Sequence, residues 1–443
     1  MSNEKRYAVV GTGGRSDMFI NYLAKTGREN GCQLVGFCDL NPGRMAHYNR
    51  RLQEEYAHPK VAEAAPEDFE RMLKEQKVDA VIVTTIDRSH DEYICRAMEA
   101  GCDVITEKPM TTDERKCQRI LDTRERTGRK LTVTFNYRYA PRNSKIKELL
   151  MGGAIGRVTS VHFEWLLDTI HGADYFRRWH RDKRNSGGLM VHKATHHFDL
   201  VNWWLGSSPE TVMAMGDLVF YGRANAEARG VRKFYTRGTG DADAVGDPFA
   251  LDLTKNKKHK ALYLDNESYD SYRRDQSVFS DGISIEDDMG VLVRYRNQAV
   301  MTYHLTAYSP WEGFRVMFNG TKGRLESEVQ ENTYVSGADD DHNVMGSTFE
   351  GGTAHEIKEP VSLLLRPHWS GVQKIEVPET NTGGHGGGDI RLLNDVFGKP
   401  AEDPLGRAAG HVDGAMSILT GIAANRSMAS GMPVNIADLV KFY

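Results

Sequence analysis

The segment Tyr7-Ala8-Val9-Val10-Gly11-Thr12-Gly13-Gly14-Arg15-Ser16 decides the fold of this 443-residue chain. Its apolar start predicts a short buried strand, and the glycines that follow predict a tight turn into a helix over residues 17–25. In such a turn Gly11 permits the bend, and Gly13 lets the backbone approach a pyrophosphate at the helix N-terminus. Ser16 is small enough to keep the helix close to the strand. Many glycine turns bind nothing, so the assignment depends on the strands that follow.

A second apolar run, over residues 33–38, ends at Asp39. A carboxylate at this position accepts hydrogen bonds from an adenosine ribose and repels a 2′-phosphate, so the sequence favours NAD over NADP as the cofactor. Arg44 follows closely and would pair with a 2′-phosphate, which leaves NADP open as the alternative.

Two further apolar runs also end at polar residues. Residues 78–85 predict a strand that ends at Thr85 and leads through His90 into a helix, and residues 103–106 are followed by Glu107-Lys108-Pro109. Apolar strands that alternate with helices indicate a parallel sheet buried on both faces, whose strand ends line one crevice. Lys108 would point into that crevice, where burial lowers the pKa of a lysine and suits it for proton handling.

The composition excludes several classes of protein. A net charge of −4 gives no basic surface for nucleic acid, and no apolar stretch is long enough to span a membrane. The first residues lack the apolar core of a secretory signal. An odd number of thiols on apparent core elements, without metal-ligand spacing, indicates a reduced cytoplasmic protein. These thiols belong to Cys32, Cys38, Cys95, Cys102 and Cys117.

The length suits two domains, with a boundary predicted at residue 136 after a last strand over 131–135. Residues 1–136 would form the dinucleotide-binding domain, and residues 137–443 a domain for substrate binding and oligomerisation.

A long polar stretch, about residues 221–285, interrupts the second domain. Loops of this length inside a compact domain are usually functional or mobile. Its residues Tyr263, Tyr269 and Tyr272 would floor a sugar site by stacking, with ordinary loop packing as the slightly favoured alternative.

The segment 187–199 carries the residues expected to do chemistry. On a single helix, His192, His196 and Asp199 share one face, and Lys193 adds an amine beside them. A histidine removes a hydroxyl proton readily near neutral pH, because its ordinary pKa is about 6.5.

A metal site is the alternative interpretation of this segment, with His385 as a further ligand to His192, His196 and Asp199. Ligand-like spacing often occurs without metal, so no metal is predicted. The glycine-rich run 383–389 is interpreted as a flexible loop that brings His385 and its neighbour Asp389 to the substrate, and a solvated surface loop is an equal alternative.

Several segments together resemble the Gfo/Idh/MocA oxidoreductases, a family of sugar, inositol and glycoside dehydrogenases. They are the glycine turn, Asp39, the stretch from Thr85 to His90, Glu107-Lys108-Pro109, Asn136-Tyr137-Arg138, and Gly187-Gly188 with His196 and Asp199. The resemblance implies an α/β protein. An N-terminal Rossmann domain would be followed by a C-terminal α/β domain with a large, mostly antiparallel open sheet.

The resemblance also implies roles for single residues. His196 would be the acid/base group, Lys108 would polarise the substrate hydroxyl, and His192 or Lys193 would place that hydroxyl. The family usually has Asp where this chain has His192, so its usual carboxylate is missing at that position. The cofactor would be bound by Gly11, Thr12, Gly13, Gly14, Arg15, Asp39, Thr85, His90, Glu107, Lys108 and Asn136. The substrate would be bound by Arg138, Trp179, Arg181, Asp199 and His385.

Three functions follow as hypotheses. The first is an NAD-dependent dehydrogenase that oxidises or reduces a ring hydroxyl of a sugar, cyclitol or glycoside. The second is a redox-neutral glycoside hydrolase that keeps its NAD and works by C3 oxidation and elimination. The third is a catalytically silent, sugar-sensing regulator. A homo-oligomer, dimer or tetramer, formed through the open sheet is expected by family analogy.

Overall fold

The computed structural model describes residues 4–335, 361–378, 384–399 and 402–442. Two sheets organise these residues, one in each predicted domain. Gly383, the first residue of the predicted glycine-rich loop, lies outside the described residues.

The first sheet has the strand order of a dinucleotide-binding fold. Its described strands are all parallel and follow the order β3-β2-β1-β4-β5-β6. The apolar runs of the sequence form its buried centre, where Val9, Val81 and Ile82 have no exposed surface. The elements are β1 (Lys5–Val10), α1 (Asp17–Thr26), β2 (Cys32–Cys38), α2 (Pro42–Tyr56), β3 (Ala62–Ala64), α3 (Phe69–Glu75), β4 (Ala80–Val83), α4 (His90–Glu99), β5 (Asp103–Thr106), α5 (Glu114–Thr127) and β6 (Leu131–Val133).

The second sheet is large and mostly antiparallel, as expected. Its order within the described residues is β14-β13-β12-β11-β7-β10-β9-β8-β15, and only β7 and β10 pair in parallel. Buried and exposed residues alternate along β10, so one face covers the core and the other faces outward. The strands are β7 (Val158–Asp168), β8 (Pro209–Asp217), β9 (Asp288–Tyr295), β10 (Val300–Ser309), β11 (Gly313–Gly320), β12 (Gly323–Gln330), β13 (Val361–Pro367), β14 (Gln373–Lys374) and β15 (Val434–Asn435).

Helices pack on the inner face of this sheet and continue the core towards the first domain. The helices are α6 (Pro141–Met151), α7 (His171–Arg177), α8 (Lys183–Ser186), α9 (Leu189–His192), α10 (Thr195–Leu205), α11 (Arg223–Ala228), α12 (Lys257–Leu262), α13 (Glu267–Asp270), α14 (Gly384–Phe397) and α15 (His411–Ser430). One hydrophobic cluster includes Val83 of the first domain and Trp165 of the second.

Two late segments of the chain fold back onto the first domain. Phe397 of α14 packs against Tyr7 and Tyr22, with ring centroids 5.1 and 5.6 Å apart. Leu253 and Leu262 of the insertion belong to the same hydrophobic cluster as Tyr7 and Tyr22. The core of the dinucleotide-binding domain therefore includes residues from well beyond position 136.

No helix in the described ranges is both long and apolar enough to cross a lipid bilayer. The five cysteines are buried free thiols.

Candidate active site

The glycine turn has the shape that a dinucleotide requires. Gly11 has φ +87°, and a Cβ added to it would lie 2.6 Å from the backbone nitrogen of Thr85, so only glycine fits. A Cβ added to Gly13 would meet nothing within 4 Å, which leaves open space beside the backbone where a pyrophosphate would approach. The observed turn therefore fits the NAD that the fold implies.

Asp39 ends β2 and lies against the same turn. The Asp39 carboxylate accepts a hydrogen bond of 2.5 Å from the backbone N–H of Thr12 and one of 2.9 Å from the Thr12 hydroxyl. Arg44, the residue that would pair with the 2′-phosphate of NADP, forms an ion pair of 2.8 Å with Asp270 of the insertion. The positive charge of Arg44 is thus already engaged.

Lys108 follows β5 and reaches the second domain, where its Nζ donates a hydrogen bond of 3.3 Å to the backbone oxygen of His192. Burial lowers the pKa of Lys108 to about 8, although Glu107 and Asp87 oppose this shift. Glu107 itself forms an ion pair of 2.9 Å with Arg15 of the glycine turn. Lys108 is the amine with a lowered pKa that the sequence predicts at this edge of the sheet.

His192 has a carboxylate partner after all, supplied by the first domain. Its Nδ1 lies 2.5 Å from Oδ2 of Asp87, a residue between β4 and α4. Burial raises the pKa of Asp87, although the positive charges of Lys108 and Arg178 oppose this shift. Burial also lowers the pKa of His192. Asp87, which follows the end of β4, therefore supplies a carboxylate beside position 192, where the family usually has Asp. The sequence did not predict this contact.

Aromatic rings surround His192 on its other sides. The His180 ring lies 4.1 Å away and the Tyr175 ring 5.5 Å away, measured between centroids. Trp179 stacks on His180 at 3.5 Å and is half-buried, and its place at a substrate-facing rim stays a prediction.

His196 lies deeper than His192. Both of its ring nitrogens are buried without a hydrogen-bond partner among the described residues. The Tyr137 ring packs edge-on at 4.7 Å, and burial, followed by the charge of Lys108, lowers the pKa of His196 well below its ordinary value. The imidazole is therefore neutral at physiological pH.

The glycine-rich run does bring His385 and Asp389 to this region. Nδ1 of His385 lies 3.0 Å from Asp389 and 2.8 Å from the amide nitrogen of Asn136. The His385 ring is 5.8 Å from that of His196. Residues 385–387 have positive φ and interrupt the start of α14, so this described part of the run forms a turn beside His196.

The expectation that His192, His196 and Asp199 share one face of a single helix is wrong. Helix α9 ends at His192 and α10 begins at Thr195, with a wide turn between them in which the N–H of Ala194 bonds the carbonyl of Leu189. This turn rotates the later residues, so His192 and His196 do not share a helical face. No group of three or more His, Cys, Asp or Glu side chains in the described part of the chain is arranged to bind a metal.

Arg138 and Asp199 contact each other instead of an open cavity. Arg138 donates two hydrogen bonds to the Asp199 carboxylate, at 2.8 and 2.5 Å, and a third to Asp413 at 2.9 Å. Both side chains are 2% exposed, and burial raises the pKa of Asp199 to about 7. This geometry favours a structural role for the pair over the predicted substrate binding.

Two other predicted residues are held by backbone groups. Arg181 donates to the carbonyls of Ser277 and Asp281 in the insertion, and burial lowers its pKa to about 10. The two ring nitrogens of His90 lie 2.7 Å from the carbonyl oxygen of Pro109 and 3.1 Å from that of Thr85, and one of them donates a hydrogen bond there. Neither side chain is free to bind a ligand in this arrangement.

A further acid/base cluster brings Lys193 close to Tyr175, His171 and Glu312, three residues that the sequence did not single out. Tyr175 contacts Nε2 of His171 at 3.1 Å, and Nδ1 of His171 lies 2.7 Å from Glu312. Burial raises the pKa of Glu312 to about 8, and burial lowers the pKa of nearby Lys193 to about 8. Lys193 Nζ also lies 5.0 Å from the Trp165 ring. These residues come from four separate elements or loops, and no local spacing signals them.

Fold and site together define an NAD-binding oxidoreductase. Residues 5–135 match the family model "Oxidoreductase family, NAD-binding Rossmann fold", and residues 147–436 match "Oxidoreductase family, C-terminal alpha/beta domain". The chain belongs to the Gfo/Idh/MocA oxidoreductase family.

Known relatives agree with this membership. The chain is 38% identical over 419 residues to the protein YteT of Bacillus subtilis, a match that covers 92% of each chain. It is 24% identical to an inositol 2-dehydrogenase/D-chiro-inositol 3-dehydrogenase of Lactiplantibacillus plantarum, over 45% of this chain and 51% of that protein. The solved aldose-aldose oxidoreductase of Caulobacter crescentus, complexed with glycerol, has the same fold, with a TM-score of 0.61 and 16% identity over 98% of this chain and 99% of that one.

Proposed function

We propose that the protein is an NAD-dependent dehydrogenase that oxidises, or in reverse reduces, a ring hydroxyl of a sugar, cyclitol or glycoside. The supporting observation is the convergence of Lys108 and His192 beside the strand ends of the first sheet, where Nζ of Lys108 bonds the His192 backbone. Oxidation of an alcohol needs a base for the hydroxyl proton and a cation for the developing negative charge. These two residues supply both.

The bound nicotinamide supplies the hydride acceptor. His192 accepts the hydroxyl proton on Nε2, because Asp87 holds its Nδ1 and fixes the tautomer. Lys108 donates a hydrogen bond to the same oxygen and stabilises its charge.

This assignment gives His192 the role of base that the sequence predicted for His196. The His192 side chain keeps 11% of its surface exposed and has an orienting carboxylate. Both ring nitrogens of His196 are buried, and no hydrogen bond within the described residues orients the ring. A general base needs access to the substrate and a fixed tautomer, so His192 is better suited.

NAD is the proposed cofactor in preference to NADP. Asp39 lies at the end of β2, where a carboxylate disfavours a 2′-phosphate. Arg44, which would neutralise that phosphate, pairs with Asp270.

The function is tested by incubating the full chain and NAD with a panel of sugars, cyclitols and nitrophenyl glycosides. Nicotinamide absorbance and release of nitrophenol are followed together. Reduction of NAD by a member of the panel supports the dehydrogenase. If NAD binds and neither signal appears with any compound, the dehydrogenase is rejected and a sugar-sensing regulator is favoured.

The redox-neutral glycoside hydrolase is the second candidate, because the site holds more acid/base groups than one hydride transfer needs. The chain of contacts Tyr175–His171–Glu312 lies next to His192 and would serve a second proton transfer. Release of nitrophenol without net reduction of NAD would favour this candidate.

Two further properties are part of the proposal. Five buried free thiols support a cytoplasmic location. The outward face of the second sheet exposes Met215 and Leu292, which supports a homo-oligomer formed through this face. Small carbohydrates, and neither nucleic acid nor membrane, are the proposed partners.

A further inference from the structure

The insertion in the second domain crosses to the glycine turn of the first. Residues 251–272, called the strap below, contain α12 and α13 and pack against the starts of α1 and α2. The backbone N–H of Gly14 donates a hydrogen bond of 2.8 Å to the hydroxyl oxygen of Tyr263 in this strap. Gly14 lies beside the open cradle at Gly13, where a pyrophosphate would approach.

Several polar contacts fix the strap to the first domain. Lys258 forms an ion pair of 2.8 Å with Asp17 at the start of α1. Asn41, at the start of α2, donates a hydrogen bond of 3.0 Å to the backbone oxygen of Asn266. Leu253 and Leu262 are fully buried against the same surface. The strap is therefore docked over the edge where the first domain would bind its cofactor.

The Arg44 contacts place the strap at the adenosine end of that edge. Arg44 donates to the backbone oxygen of Leu262, pairs with Asp270, and lies 5.5 Å from the Tyr263 ring. It lies shortly after Asp39, the residue suited to the adenosine ribose. One segment of the second domain thus reaches both the pyrophosphate and the adenosine regions of the site.

We propose that Tyr263 is a cofactor-binding residue and that the strap retains NAD between catalytic cycles. The Tyr263 oxygen accepts from Gly14, so the phenol proton remains available to donate to a pyrophosphate oxygen. A hydrogen bond to a charged group is stronger than one between neutral groups. Because the strap is anchored on both sides of the cradle, the cofactor leaves only when these contacts open. This inference rests on the NAD-binding domain and is independent of the substrate proposed above.

Tyr263→Phe and Lys258→Ala test the two parts of the proposal. Tyr263→Phe removes only the hydroxyl, and its matched control Tyr235→Phe removes a hydroxyl that bonds Asp247 inside the insertion at 2.8 Å. Lys258→Ala removes a strap anchor, and its matched control Lys260→Ala removes a lysine that pairs with Asp265 within the strap. Thermal unfolding checks that each variant is folded.

The measurement is the dissociation rate of NADH from the full chain, followed by fluorescence after a chase with excess NAD. We expect Tyr263→Phe to release NADH about 10-fold faster, which equals about 1.4 kcal/mol. Lys258→Ala should also accelerate release, and both controls should stay within about 2-fold of the wild type. The amount of nucleotide that stays bound to the protein after gel filtration should decrease in the same variants.

The following results would contradict parts of the proposal. An unchanged rate in Tyr263→Phe removes the residue from the cofactor site, and slower release would mean that the hydroxyl competes with the pyrophosphate for Gly14. An unchanged rate in Lys258→Ala rejects retention by the strap. These outcomes need no substrate, so they are distinguishable from failure of the proposed dehydrogenase activity.

Discussion

Asp87 of the first domain and His192 of the second are joined by a hydrogen bond of 2.5 Å that crosses the domain boundary. The contact joins a loop after β4 to the end of α9. It orients the imidazole and also ties the first domain to the second at the candidate site. A change in the relative position of the domains would therefore also change the orientation of His192, the proposed base.

Replacement of Asp87 with Asn should lower turnover about 10²- to 10⁴-fold, because the imidazole loses the carboxylate that fixes its tautomer. Steady-state rates with the substrate found in the panel measure this. Asp91→Asn is the control, since Asp91 is also buried but pairs with Arg119 on α5. NAD affinity should be unchanged in both variants. Near-wild-type turnover in Asp87→Asn would remove the pair from the proton transfer.

Replacement of Lys108 with Met should lower turnover about 10²- to 10³-fold, because the negative charge on the substrate oxygen loses its cation. The wild-type pH profile gives an independent check. The lowered pKa of Lys108, about 8, means that the amine loses its charge above that pH, so the rate of alcohol oxidation should fall there. A rate that rises through pH 8 would instead make neutral Lys108 the base.

Asp199→Asn should lower the free energy of unfolding by about 3–5 kcal/mol, because it leaves the buried charge of Arg138 without one partner. Urea unfolding measures the change, with Asp182→Asn as the control, because the partner of Asp182 is Arg184, whose side chain is 88% exposed. If stability is unchanged and KM rises, Asp199 contacts the substrate, as its sequence pattern indicated.

Asp39→Ala should reduce NAD affinity about 10-fold and narrow the preference for NAD over NADP, because the carboxylate that would bind the ribose is lost. Titration of cofactor-free protein with each nucleotide measures both affinities. Tighter binding of NADP than of NAD by the wild type would contradict the proposed cofactor.

The sequence predicted the features of the fold that are set by short segments of the chain. The glycine turn, the strand ends at Asp39 and Lys108, and the parallel character of the first sheet follow from local patterns. The large, mostly antiparallel second sheet was implied by the family resemblance, and the structure confirms both sheets. Local spacing also predicted a shared helical face for His192 and His196, which the wide turn at Ala194 breaks. Backbone geometry of that kind is set by packing between elements and leaves no clear pattern in the residues.

Contacts between distant segments account for the rest. Asp87 and His192 are 105 positions apart, and Gly14 and Tyr263 are 249 apart. A single sequence contains no signal for such pairs. Arg138 was interpreted as a substrate ligand for the same reason, since its partners Asp199 and Asp413 lie in two later helices.

The proposed reaction depends most on where the nicotinamide ring lies relative to Lys108 and His192. A crystal structure of the full chain with NAD measures this directly. We expect Nζ of Lys108 and Nε2 of His192 on the side of the ring where the substrate binds, close enough for one substrate hydroxyl to contact both at about 3 Å. A nicotinamide ring that points away from both side chains, with the domains in the same arrangement, would contradict it.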